Sequence, residues 1–128
     1  MPSDQQPVHV LPKNFLRPCL LLLLREQPAH GYDLIERLRP LGFNRDDPGR
    51  LYRALRSLEN DGLVRSVWED SSSGPERRIY QLTREGMETL HASVAALRQA
   101  HELLGGFVSR YAQLDPVKPA RQPPRPCD

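Results

Sequence analysis

The chain has few of the features that mark secreted or membrane-spanning proteins. Its two cysteines, Cys19 and Cys127, make neither a disulfide framework nor a metal site, which favours a reducing, cytoplasmic setting. The apolar run at residues 19–24 is far shorter than the roughly 20 residues that a membrane span needs. No basic leader with a cleavage site is seen, so neither export nor membrane insertion is expected.

The sequence also lacks the motifs of an enzyme. Its four histidines have no cysteine or carboxylate at metal-ligand spacing. His101 and Glu102 are not followed by the second histidine of a zinc-protease helix, because position 105 is glycine. No phosphate-binding loop or nucleophile elbow occurs. We therefore expect no catalytic residue, metal ion or cofactor.

Net charge says little about the partner of the chain, whereas composition indicates that both ends are unstructured. The formal charge of +2 is too small to indicate a polyanionic partner, so the placement of charge matters more than its sum. Residues 1–13 show little periodicity and are predicted to form a flexible arm. Residues 114–128 are rich in proline, with Lys118, Arg121 and Arg125 between the prolines, and are predicted to be a disordered basic tail. A nonspecific DNA-touching arm is the alternative.

The remaining 100 or so residues carry four helical patterns and one hairpin pattern, in an order that fits one domain of about this size. Helices are predicted at 15–26, from 31 to about 41, from Pro48 to Gly62 and after Thr83, with strands at 63–70 and 77–82. Asp46 or Asp47 can cap the third helix. The order predicts a mainly helical winged helix-turn-helix at 14–83, followed by a long helix at 84–113.

The third helix carries the clearest candidate for DNA recognition. Leu51, Leu55 and Leu58 define its buried face. Arginine presents a planar fork that matches phosphate or the edge of guanine, and asparagine matches adenine. An ordinary solvated face, with Arg56 paired to Glu59, is the alternative. The predicted DNA-binding residues on this helix are Gly49, Arg50, Tyr52, Arg53, Arg56, Ser57 and Asn60.

The hairpin adds a second polar element. Arg77 and Arg78 open its second strand, Arg65 lies on its first, and its predicted phosphate-binding tip comprises Ser72, Ser73 and Gly74. A plain flexible loop is the alternative at the tip. Trp68 and Tyr80 are predicted to pair across the strands as core or effector-pocket residues, and Ile79 and Leu82 to face inward.

The last helix shows a heptad seam, in which apolar residues alternate at steps of three and four. A second copy of the chain is the simplest partner for such a seam, although packing on the chain's own first helix is the alternative. Gly105 and Gly106 predict an end or a kink of the helix there. His101 is interpreted as a packing residue. The predicted dimer residues are Met87, Leu90, Val94, Leu97, His101 and Leu104, with Val108 and Tyr111 continuing the pattern.

Three separated stretches, at residues 21–34, 49–64 and 77–86, resemble PadR-family regulators in their order and sequence. The resemblance covers residues 15–97. It implies a winged helix-turn-helix, a C-terminal dimerisation helix, and transcriptional repression that ends when a small aromatic or hydrophobic effector binds. The wing and the Phe15-Leu16-Arg17-Pro18 opening are most similar to the branch of polyhydroxybutyrate-responsive repressors. Gly105, Gly106 and the proline-rich tail depart from the family pattern.

These patterns predict a homodimeric transcription regulator that binds a roughly palindromic double-stranded DNA operator. A winged-helix module for protein–protein contact is a second hypothesis, but such a module would more often expose apolar residues where the third helix exposes arginines. A small-molecule sensor without specific DNA binding is a third, and it would not need Arg50, Arg53 and Arg56. The sequence does not indicate the operator or the regulated genes.

Overall fold

Helices dominate the structure, a computed structural model that describes residues 14–43, 47–69 and 77–114. The predicted arm at 1–13, the tip residues Ser72, Ser73 and Gly74, and the predicted tail from residue 115 lie outside the described residues. The elements are α1 (Leu16–Glu26), β1 (Ala29–His30), α2 (Gly31–Arg37), a short 3-10 helix (Arg39–Leu41), α3 (Pro48–Asn60), β2 (Val64–Glu69), β3 (Arg77–Leu82) and α4 (Arg84–Ala112). This order confirms the predicted fold class.

The core forms around α1, which is apolar on most sides and therefore buries most of its surface. Leu34 of α2 and three leucines of α3 complete this core. Each fully buried leucine stabilises the fold by about 1.5–3 kcal/mol relative to an exposed one, so this cluster fixes how α3 is held. The core residues of α1 and α3 are Leu16, Cys19, Leu20, Leu21, Leu23, Leu24, Leu51, Leu55 and Leu58.

The ends of the helices follow local signals. The Asp47 carboxylate accepts a hydrogen bond of 3.1 Å from the backbone N–H of Arg50, which confirms the predicted cap of α3. Gly62 takes a positive φ of 79° just after α3, a conformation that glycine adopts without strain. The Thr83 hydroxyl oxygen accepts a bond of 3.0 Å from the N–H of Gly86 and so caps α4, also as predicted.

The sheet has three strands in the order β1-β3-β2, all antiparallel. The two-residue strand β1 was not predicted, because two residues are too few to show a strand pattern. The predicted pairing of Trp68 with Tyr80 is wrong: Trp68 lies opposite Arg78, and Tyr80 lies opposite Ser66.

Burial on β3 also differs from the prediction. Tyr80 takes the buried position, whereas Ile79 and Leu82 are only half-buried, since residues three apart on a strand point to opposite faces. Trp68 is 60% exposed, so its predicted role in the core is wrong, while its role in lining a pocket is taken up below.

The chain divides into two compact units, one ending at His91 and one beginning at Ala92. The helix α4 runs without interruption through Gly105 and Gly106 to Ala112, so the predicted end of the helix there is wrong, while a kink stays a prediction. Leu90 is only 6% exposed, so its side chain packs mainly within the chain, and its predicted contact with a second copy stays a prediction. Among the described residues, no helix is long and apolar enough to cross a membrane.

Candidate nucleic-acid interface

The outward side of α3 is the main surface of interest. Its opposite side buries Leu51, Leu55 and Leu58, and this anchors the helix with one side facing solvent. We call that exposed side the α3 face. It contains all seven residues predicted on this helix, each of them exposed: Gly49, Arg50, Tyr52, Arg53, Arg56, Ser57 and Asn60.

The acidic residues around the α3 face are held by other groups. Asp47 caps the helix, as described above. The Glu59 carboxylate accepts a hydrogen bond of 2.8 Å from the Ser66 hydroxyl of β2, so it is not paired with Arg56 as the alternative reading required. Within the described ranges, no ion pair involves Arg50, Arg53 or Arg56. The three arginines of the face therefore remain unpaired with an acid in this part of the structure.

Arg50 and Ser57 are anchored near the two ends of the face. The guanidinium of Arg50 lies 5.7 Å from the centre of the Phe43 ring, a cation–π contact that restricts the side chain. Ser57 is exposed, but its hydroxyl oxygen accepts a hydrogen bond of 2.8 Å from Arg17 of α1. Arg53 and Arg56 make no such contact in the described part of the chain, so they are the freer cations of the face.

The strands β2 and β3 place further arginines at the base of the wing. Arg77 and Arg78 are exposed, and the guanidinium of Arg78 lies 4.9 Å from the centre of the Trp68 ring. Glu69 lies opposite Arg77 in the ladder, but its carboxylate contacts the His30 imidazole at 2.7 Å. Arg65 donates to the Gln81 side chain at 3.0 Å and is therefore directed along the sheet.

Aromatic and basic side chains line an open cleft between α3, α2 and the wing, which we call the wing cleft. Its volume is about 430 Å³. Burial raises the pKa of the Tyr52 phenol, and the nearby Tyr80 raises it further, so Tyr52 remains a hydrogen-bond donor at neutral pH. The cleft is lined by His30, Gly31, Tyr32, Tyr52, Trp68, Arg77, Arg78 and Tyr80.

The cleft includes a glycine that the site prediction had missed. A Cβ atom at Gly31 would come within 2.5 Å of the Tyr52 ring, so the ring in its present position fits only against glycine, and a larger residue would make it turn aside. None of His30, Gly31 and Tyr32 had been predicted as a DNA-binding or effector-binding residue. No periodic signal identifies them, because they contact α3 and the wing through the tertiary fold.

The second unit exposes an apolar surface on the last turns of α4. The seam residues differ in burial: Met87, Val94 and Leu97 are half-buried, whereas His101 and Leu104 are exposed. Leu103 and Phe107 were missed, although their spacing of four residues places them side by side on one helix. The exposed apolar residues, each 62–74% accessible, are Leu103, Leu104, Phe107, Val108, Tyr111 and Leu114.

Reactive groups contribute little to the described structure. Burial raises the pKa of the Cys19 thiol to about 11, so the thiol stays protonated and inert at neutral pH. In the part of the chain that the structure describes, no cluster of three or more His, Cys, Asp or Glu residues could hold a metal ion.

Comparison with known proteins gives consistent matches. A model of the transcriptional regulator PadR-like family matches residues 20–92. The transcriptional regulator Rv3488 of Mycobacterium tuberculosis is 38% identical over 82 residues, which is 63% of this chain and 75% of that protein. None of these matches distinguishes branches of the family, so the assignment to polyhydroxybutyrate-responsive repressors stays a prediction.

Solved structures agree in fold. A PadR family transcription regulator from Clostridium difficile has a TM-score of 0.67 and 24% identity, over 74% of this chain and 99% of its own. PadR of Bacillus subtilis in complex with operator DNA has a TM-score of 0.58 and 27% identity, over 65% of this chain and 48% of its own.

Proposed function

The chain belongs to the PadR-like family of transcriptional regulators, and we propose that it regulates transcription by binding a specific DNA sequence through the α3 face. The observation that carries this proposal is that none of the three arginines of that face is paired with an acid among the described residues. The acids beside it are occupied by the helix cap, by Ser66 and by Arg17. Because the whole chain is nearly neutral, only such local placement can supply affinity for phosphates.

In this proposal α3 enters the major groove. Arg50, Arg53 and Asn60 reach base edges or phosphates, since an α-helix fits this groove and both residue types match base edges there. Arg77 and Arg78 contact the backbone from the wing, together with the predicted tip residues Ser72, Ser73 and Gly74. The PadR of Bacillus subtilis was solved with operator DNA, which supports a DNA partner for this chain.

The regulator acts as a homodimer in this proposal, assembled through the exposed apolar surface of α4. Five large apolar side chains on the last turns of α4, and Leu114 just after it, would remain in water in a monomer, and a second copy is the simplest way to bury them. Two α3 helices about 34–36 Å apart would enter successive major grooves, so the operator should be roughly palindromic.

We further propose repression that is relieved by a small hydrophobic or aromatic effector in the wing cleft. The cleft shares Tyr52, Arg77 and Arg78 with the surface proposed for DNA, so an occupant would compete with DNA for them. Trp68 lines the cleft, and its fluorescence should shift on titration with such a compound. An effector that displaces DNA without changing this fluorescence would show that it binds elsewhere.

The proposal is tested by selecting bound duplexes from a random-sequence pool and then measuring affinities at two salt concentrations. Replacing Arg53 with alanine should cost about 1–3 kcal/mol, mostly on the selected sequence, if it contacts a base. If it contacts only phosphate, all sequences should weaken alike and the salt slope should fall by about one. Arg25→Ala is the matched control, because Arg25 is an exposed arginine at the far end of α1.

Three results would contradict the proposal. Folded Arg53→Ala and Arg56→Ala variants that bind selected and scrambled duplexes as tightly as the wild type would exclude the α3 face as the reading surface. A folded wild-type protein that enriches no duplex would favour a protein–protein module. A ligand-dependent Trp68 signal without any DNA binding would favour a sensor instead.

A further inference from the structure

Arg17 of α1 makes two contacts with the C-terminal end of α3, although 40 or more residues separate it from them in sequence. One guanidinium nitrogen donates to the Ser57 hydroxyl at 2.8 Å, and the other lies 2.9 Å from the Asp61 carboxylate. The Arg17 side chain is 34% exposed and that of Asp61 is 55% exposed, so the ion pair reaches the protein surface. Arg17 therefore connects α1 to α3 and also forms an ion pair at the protein surface.

Asp61 lies where an unpaired negative charge would oppose DNA binding. Arg53, Ser57 and Asp61 follow one another at four-residue steps, so they lie along one stripe of the α3 face. A free carboxylate at the end of this stripe would repel the phosphates that Arg53 attracts. It would also face the partial negative charge of the last helical carbonyls, which disfavours an acid at a helix C-terminus. Both effects are unfavourable unless a cation lies beside Asp61.

We propose that Arg17 is a positioning residue for DNA binding. Its guanidinium neutralises the charge of Asp61 and holds the Ser57 side chain in place. The C-terminal end of the α3 face is thereby kept electrically neutral and its side chains fixed. This inference rests on the proposed function. It assigns Ser57 to the support of the helix rather than to base reading, since its hydroxyl oxygen is used by Arg17. Arg17 itself contacts no base in this proposal.

The test compares Arg17→Ala, Asp61→Asn and the double variant Arg17→Ala/Asp61→Asn on selected and scrambled duplexes at two salt concentrations. The single change Arg17→Ala should weaken binding to both duplexes about fivefold at low salt, because it exposes one uncompensated charge beside the phosphates. Adding Asp61→Asn should restore most of the wild-type affinity, because it removes that charge, although the contact of Arg17 with Ser57 stays lost. Asp61→Asn alone should bind at least as tightly as the wild type.

Other roles of Arg17 give different results and would overturn the inference. If Arg17 binds a phosphate itself, its loss lowers the salt slope by about one and Asp61→Asn does not restore affinity. If it is only a structural link, the double variant is as weak as the single one, and thermal unfolding shows the same loss of stability in both. A Ser57→Ala variant with altered sequence preference would also contradict the assignment of Ser57.

The outcome is distinguishable from failure of the proposed function, because the wild type is measured beside the variants. If the wild type binds DNA and Arg17→Ala binds equally well, only the role of Arg17 is wrong. If the wild type binds no duplex, the DNA-binding proposal fails and the role of Arg17 fails with it.

Discussion

At the scale of single residues, Gly86 decides how α4 begins. A Cβ atom at this position would overlap the backbone carbonyl oxygen of Leu63 and approach the Leu82 side chain to 2.6 Å. Gly106, in the same helix, has no atom within 4 Å of such a Cβ. Two glycines of one helix are therefore under opposite constraints, and this contrast gives a matched pair of substitutions.

Gly86→Ala should lower the free energy of unfolding by about 1–3 kcal/mol, the usual cost of overpacking, because a backbone carbonyl cannot move aside cheaply. Gly106→Ala should raise it by up to about 1 kcal/mol, the difference in helix propensity. Urea denaturation at one fixed protein concentration measures both, since a dimer's stability depends on concentration. Equal stability of the two variants would contradict the packing at Gly86.

The contacts of individual acids were the part of the site that the sequence could not reveal. Spacing of three residues permits Arg56 to pair with Glu59, and the local pattern offers no reason against it. In the structure Glu59 contacts Ser66 and Asp61 contacts Arg17, which are 7 and 44 residues away in sequence. Such partners become neighbours only through the tertiary fold, so a sequence pattern can show which residues are charged but not which charges remain free.

At the scale of elements, α3 is bounded by local signals that sequence reasoning can read. Asp47 caps it, Pro48 occupies its first turn and Gly62 follows its end. The helices α1 and α4 and the hairpin strands were also predicted to within a residue or two at their described ends, because caps and periodicity are local. The strand β1 and the register of β2 against β3 were not, because a two-residue strand has no periodicity and register depends on the connecting loop.

Substitutions of the capping residue Asp47 should affect protein stability and DNA affinity differently. Asp47→Ala should destabilise the fold by about 0.5–2 kcal/mol, because the N–H of Arg50 loses its partner. Asp47→Ser keeps a capping oxygen and should retain most of that stability. It also removes a negative charge beside Arg50, so it should bind DNA more tightly than the wild type at low salt.

Thermal unfolding and DNA titration of the two Asp47 variants provide the measurement. If the Asp47→Ser variant is as unstable as the Asp47→Ala variant, then Asp47 does not stabilise the helix by capping it. If the Asp47→Ser variant is stable but binds DNA more weakly than the wild type, then the Asp47 carboxylate makes a favourable contact with DNA, contrary to our account of the charges.

At the scale of the whole molecule, the proposed dimer rests on the exposed apolar surface of α4. Leu104→Asp/Val108→Asp would place two charges in the proposed interface, and burying an unpaired charge is costly. The protein should become a folded monomer with weakened DNA binding, because only one α3 then meets the operator. Leu90→Asp should instead unfold the protein, since Leu90 is buried within the protomer.

Sedimentation and circular dichroism distinguish these results. Ser109→Asp is a useful comparison, because Ser109 lines the same groove as Leu104 and Val108, and the change adds charge there without removing an apolar side chain. A wild type that sediments as a monomer at high micromolar concentration would contradict the dimer. Sequence alone indicated the seam but could not separate Leu90 from Leu104, because both fit the same heptad pattern.

The central claim is that the α3 face holds the DNA, and the most direct test is the response of individual arginine side chains to bound duplex. In isotope-labelled wild-type protein, the Nε–H signals of Arg53 and Arg56 can be assigned with Arg→Lys variants. We predict that both signals shift or broaden when a selected duplex is added, while that of Arg25 stays in place. A duplex that binds tightly and leaves the signals of Arg53 and Arg56 unchanged would show that another surface of the protein binds DNA.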